Sequence, residues 1–205
     1  MLKNGLFIKC TSYNFKKLFE TKGYTWFEKG NYNLNIIGVR KNSNYKVTNL
    51  YDDILIVDYN TDNGHKRLLY NITTKPGIYY MNNPINIYGT AILVPNQYRG
   101  CWQIGLHRGK YKALCQKKAV KVYRDNNKDN KFDLDPSNTT IGMFGINIHR
   151  SNETWTRNTI DKYSAGCQVF NNPTDFNSFM RLCEKQKNLY GNSFTYTLIN
   201  EEDLI

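Results

Sequence analysis

The chain has 205 residues, 40% of them hydrophobic and 14% aromatic, which is enough for a sizeable core in one domain or one domain with a small appendage. No run approaches the roughly 18 to 20 apolar residues of a membrane span, and Met1–Cys10 is too short and polar for a secretory leader, so synthesis in the cytoplasm is expected. The 28 Lys and Arg against 17 Asp and Glu leave +11, which suits an anionic partner without choosing one, and five cysteines lacking CxxC spacing exclude a disulfide framework and a zinc ribbon.

In chain order, Phe15, Leu18 and Phe19 recur at helical spacing behind Thr11 and Ser12 as caps, with Gly23 as a stop. They predict a short amphipathic helix in an N-terminal helical extension over residues 1–30. Short apolar or alternating runs follow at Asn35–Val39, Ile54–Tyr59, Arg67–Thr73, Thr90–Val94, Val120–Tyr123 and Gly145–His149, punctuated by Gly, Pro, Asn and Asp. These predict a mixed β-sheet or sandwich. One long helix begins at Asn172-Pro173, a polar cap followed by proline, and carries Phe176, Phe179, Met180 and Cys183 on one face. It should end between Asn188 and Gly191, before a closing strand in which Phe194, Tyr196 and Leu198 alternate. Residues 31–205 therefore read as one α+β domain.

Two segments carry chemistry. Gly145-Ile-Asn-Ile-His-Arg150 reads as a strand ending in a histidine, and Ser164-Ala-Gly-Cys167 is a small-residue turn that presents a cysteine before the strand Val169-Phe170. A thiol needs a base to become a nucleophile, and His149 can supply it if the fold joins the two. The small residues let the backbone turn tightly, so that amides can face a developing oxyanion. On this reading the Cys167 thiol should have a lowered pKa.

His149, fourteen intervening residues, Ser164, one further residue, Gly166 and Cys167 together resemble the His…Ser-His-Gly-Cys signature of the L,D-transpeptidase catalytic domain of the YkuD type. Thr74-Lys-Pro-Gly-Ile-Tyr79 is similar to that family's Thr-Pro-x-Gly-x-Phe/Tyr segment, with the proline displaced by one place. The likeness covers residues 35–199 in outline and rests mainly on 145–170; the first 30 residues have no counterpart. It implies a YkuD-type fold for residues 31–205, and acyl transfer on peptidoglycan stem peptides through a thioester. Cys167 would be the nucleophile, His149 the general base, the Gly166 and Cys167 amides the oxyanion hole, and Ser164 the support of the turn. No cofactor is implied.

Two departures bear on the substrate. The family's second histidine is Ala165, and its arginine two places after the cysteine is Val169, so recognition of a substrate carboxylate does not carry over. Arg150, beside the base, and Arg157, in the intervening loop, become candidates for it. His107, in the Gly-flanked turn Gly105-Leu-His-Arg-Gly109, either lines the same cleft or is a surface histidine. His65 belongs to a hairpin, and Cys10, Cys101, Cys115 and Cys183 read as small core residues.

Asp125, Asn127, Asp129 and Asp133 stand at positions 1, 3, 5 and 9 of a segment with an apolar residue at 8, as in calcium loops, but the glycine at 6 and glutamate at 12 are missing. An Asp/Asn-rich hairpin turn accounts for the same letters. The function expected is a monomeric, cysteine-dependent peptidoglycan peptidase, hydrolytic rather than cross-linking. Lacking a leader, it would act on the wall after release, as endolysins do, or from a virion. The alternative is a non-catalytic module of the same fold that holds a wall polymer or nucleic acid through its basic surface; specific nucleic-acid binding is not expected of the enzyme.

Overall fold

The computed structural model describes residues 5–204. Eleven strands and four α-helices make it α+β, as expected. The strands are β1 (Asn35–Arg40), β2 (Asp53–Thr61), β3 (Gly64–Thr73), β4 (Thr90–Leu93), β5 (Asn96–His107), β6 (Tyr111–Gln116), β7 (Val120–Asp125), β8 (Thr139–Gly142), β9 (Ile148–Arg150), β10 (Gln168–Phe170) and β11 (Phe194–Asn200). The helices are α1 (Gly5–Ser12), α2 (Phe15–Thr21), α3 (Ile78–Asn82) and α4 (Pro173–Tyr190). No described helix is long and apolar enough to cross a membrane.

The sheet is mixed, as expected, but instead of a sandwich it closes into an eight-stranded barrel in the order β1-β11-β5-β6-β9-β10-β3-β2, with a separate sheet β4-β7-β8. Closure comes from β1, which pairs antiparallel with β2 and parallel with β11. Every residue of β1 is buried. Ile36 faces the inner core with Leu55 and Tyr196, whereas Ile37 and Val39 face outward and need a second cover. The N-terminal helices provide it: Leu6, Cys10, Phe15 and Phe19 pack against Ile37, Val39, Ile54 and Ile56. Thr11 and Ser12 lie within α1 instead of capping α2, whose cap is Asn14, accepting from the Lys17 N–H at 3.1 Å.

Asn172 caps α4 by accepting from the Thr174 and Asp175 N–H groups, and Phe176, Phe179, Met180 and Cys183 enter the inner core as the spacing predicts. Each such side chain contributes about 1.5–3 kcal/mol by leaving water. Parallel pairing of β9 with β10 sets Val169 beside His149. Side chains alternate across a strand, so Phe170 points to α4 and the inner core, while Cys167, Val169, Asn147 and His149 share the outer face. The candidate site is built on that face.

Candidate active site

The turn before β10 is fixed by its own side chains. Ser164 Oγ donates to the Cys167 carbonyl at 2.8 Å and accepts from the Gly166 N–H at 3.1 Å, while the Ser164 carbonyl takes the Gly77 N–H at 2.9 Å. Gly166 has φ +114, and a Cβ there would stand 2.2 Å from the Ala91 carbonyl oxygen, so only glycine fits. Ser164 supports the turn, as expected. Gly166 serves through its conformation: its amide is committed to Ser164, which removes it from the expected oxyanion hole and leaves the Cys167 N–H as the amide beside the thiol with no hydrogen bond among the described residues.

Cys167 Sγ donates to the Gly145 carbonyl and accepts from the Asn147 N–H, each at 3.4 Å. No hydrogen bond joins it to His149. The His149 Nδ1 lies 2.8 Å from the Arg150 carbonyl oxygen, which can only accept, so Nδ1 carries the proton and Nε2 is left as a free base. Tyr111 Oη donates to the same carbonyl at 3.1 Å.

Burial pushes the Cys167 thiol up to about 11, with the Asn147 N–H and the Arg108 charge pulling weakly the other way. This reverses the lowered value expected of an activated cysteine. Burial likewise brings His149 down to about 3, aided by His107 and Arg108 and opposed by the bond to the Arg150 carbonyl. At neutral pH the two are therefore a neutral thiol and a neutral imidazole.

Compared with protein families, with characterised proteins and with solved structures, the chain matches none. The chemistry of the cleft has to be read from its own side chains.

Cys167 opens into a cleft of about 480 Å³ between the barrel and the β4-β7-β8 sheet. His107 lines it and is buried, at 7% exposure, so the surface reading of this residue fails. Its ring stacks on that of His149, and Asn147 Nδ2 donates to its Nδ1 at 3.0 Å. Arg150 and Arg157 do not line the cleft. Arg150 lies over the Tyr111 ring and pairs with Glu153 at 3.0 Å; Arg157 is held between Trp155 and Tyr163. Arg108 lines it instead, in the left-handed turn between β5 and β6 at φ +50. Its guanidinium has no carboxylate or hydrogen-bond partner among the described residues, and no Asp or Glu lines the cleft. Arg124 also lines it but is tied to Thr140 Oγ1 at 3.0 Å and the Gly89 carbonyl at 3.1 Å.

Sequence reasoning missed Arg108 and Asn147. A basic residue between two glycines was the signal for the first, and a polar residue two places before His149 on the same strand face was the signal for the second. A second cleft of about 380 Å³ lies away from Cys167; its buried Lys75 is paired with Asp52 and Asp53 at 3.2 and 3.1 Å. In the Asp125–Asp133 segment the side chains cap local amides: Asp125 accepts from Asp133, Asn127 from Asp129 and Asp129 from Lys131. Among the described residues no three of His, Cys, Asp or Glu form a metal-holding group.

Proposed function

We propose that the protein is a cysteine-dependent acyl transferase of the L,D-transpeptidase type that hydrolyses peptidoglycan stem peptides. One observation carries the reading: Cys167, one residue ahead of β10, falls by strand alternation on the face of Val169, whose partner on the parallel strand β9 is His149, with Nδ1 of the histidine tied to a carbonyl and Nε2 free. The two side chains make no hydrogen bond to each other, and His149 does not line the cleft into which Cys167 opens, so the thiol has to turn to reach it.

In the first step the thiol turns from the Gly145 carbonyl toward His149. Its proton passes to Nε2 as sulfur bonds to the substrate carbonyl carbon, and the Cys167 N–H meets the oxyanion. The intermediate collapses with cleavage of the C–N bond, and the leaving amine takes the proton from His149. Water, deprotonated by the same imidazole, then cleaves the thioester. The cleft's unpaired Arg108 and lack of acidic groups favour an acyl donor that carries a carboxylate.

Incubation with purified muropeptides followed by mass spectrometry tests this. The expected result is loss of a stem-peptide residue, together with an acyl adduct on Cys167 that is absent from Cys167→Ala. Muropeptides left unchanged, or cleaved equally by the variant, would overturn it.

A further inference from the structure

Asp125, at the end of β7, is a buried anion without a cation. It is 0% exposed, one carboxylate oxygen accepts from the Asp133 N–H at 2.9 Å, and the other is enclosed with no hydrogen-bond partner. The charges that reach it are those of Asp133 and Asp129, both negative. A buried carboxylate in such surroundings is unfavourable unless it is protonated or meets a metal ion. The chain around it is rich in other oxygen donors. Asn127 and Asp129 follow at alternate positions, and the Lys131 carbonyl accepts no hydrogen bond among the described residues. Lys128 and Asn130 adopt φ of 59 and 61, so asparagine takes the left-handed place expected of glycine. Phe132 is buried against Met81 and Ile92 and anchors the loop from within.

We propose that Asp125–Asp133 is a calcium site, with the unpartnered Asp125 oxygen as anchoring ligand and Asn127, Asp129 and the Lys131 carbonyl completing the shell, some through water. Because three carboxylates do not stand together here, the shell draws on amide and carbonyl oxygens as well. That mixture suits calcium, and zinc and other metals that prefer nitrogen or sulfur find no ligand in it. Magnesium, which demands a smaller and stricter octahedron, fits a loop of this kind less well. The ion would brace the cleft. Asp125 pairs with Thr90 of β4, its carbonyl oxygen fills the space where Gly89 would carry a Cβ (2.2 Å), and the Gly89–Ala91 wall supports Gly166.

The test uses the full chain after chelator treatment, with isothermal titration calorimetry and thermal unfolding in calcium or magnesium chloride. It needs no substrate, so it stands apart from the proposed activity. One calcium should bind per chain, and Tm should rise by about 5 °C at about a hundredfold excess over Kd, with magnesium giving less than half of that. Asp125→Asn should abolish the response while its calcium-free Tm stays at or above that of the wild type. Should that variant fail to fold, the exposed Asp129→Asn should lower calcium affinity at least tenfold with an unchanged calcium-free Tm. No binding heat and no shift in millimolar calcium, an equal response to magnesium, or a wild-type response in either variant would overturn the site.

Discussion

The His107 ring lies flat against that of His149, with centroids 4.1 Å apart and planes 19° from parallel. Hydrogen bonds at each Nδ1 fix how both rings hold their protons. The Gln116 N–H donates to Asn147 Oδ1 at 2.9 Å, which orients that amide so that its Nδ2 donates to His107 Nδ1. His107 therefore carries its proton on Nε2, and His149 on Nδ1. Two touching imidazoles resist charging together. Burial and Arg108 bring His107 to about 4, and burial, His107 and Arg108 bring His149 to about 3.

Stability should fall as pH drops below about 6.5. Both histidines have folded values below the unfolded one, so between about 4 and 6.5 the unfolded chain binds more protons and acid favours it. Asp125 works in the opposite sense, because burial raises it to about 6 and the folded chain holds its proton in part of the same window. Asp52 and Asp175, which burial also raises, oppose the histidines in the same way, so the fall is shallower than two histidines alone would give. Urea denaturation at pH 4.5, 5.5 and 6.5 in chelator checks this, and flat stability across the series would contradict the buried, neutral histidine pair.

Arg108 should govern affinity for the acyl donor. Arg108→Ala removes the cleft's unpaired cation, and loss of a charge-assisted hydrogen bond should raise KM for an anionic muropeptide about 10- to 100-fold with little change in kcat. Arg150→Ala and Arg157→Ala should leave KM unchanged, since neither lines the cleft. Steady-state kinetics on all three separates them, and an effect confined to Arg150 would restore the arginine beside the base as the binding group.

That contrast shows where the sequence is readable. Arg150 follows His149 directly, yet neighbours on a strand point to opposite faces, so adjacency in the chain places Arg150 on the wrong side. The helix α4 was legible because its cap and its apolar stripe are local, and the Ser164 to Cys167 turn because small residues announce it. β5 was not. Its alternation is broken by Arg99, Gly100 and Gly105, and it pairs first with β11 and then with β6. Closure of the barrel depends on β1 meeting β11 from the far end of the chain, which no local pattern records. The thiol's raised pKa is likewise a product of tertiary burial, not of flanking letters.

Gly166→Ala should destabilise the protein by about 3 kcal/mol or more. The substitution combines a left-handed backbone with a Cβ 2.2 Å from the Ala91 carbonyl oxygen, and neither β4 nor the turn can yield without losing the Ser164 bonds. Thermal unfolding reads the loss, and an unchanged Tm would mean that the turn is looser than its hydrogen bonds indicate. Ala165→Gly, which removes only a methyl group from the same turn, is the control.

The most informative prediction concerns the order in which Cys167 loses its proton. An activated cysteine of the ion-pair kind labels rapidly at neutral pH and depends on its histidine for that speed. Here the thiol is pushed up to about 11 and hydrogen-bonds to Gly145 instead of His149, so iodoacetamide should react slowly at pH 7 and about tenfold faster per pH unit up to pH 10. His149→Ala should barely alter that labelling, because the imidazole does not hold the free thiolate. The same substitution should nevertheless reduce muropeptide turnover by several powers of ten, since the base acts only while the sulfur–carbon bond forms. Cys167→Ala should abolish turnover yet leave Tm within about 2 °C, as the sulfur makes only two weak hydrogen bonds. Fast labelling at pH 7 that His149→Ala slows would replace this concerted picture with a preformed thiolate–imidazolium pair. A Cys167→Ala protein that melts early and a wild type without turnover would together make the cysteine structural.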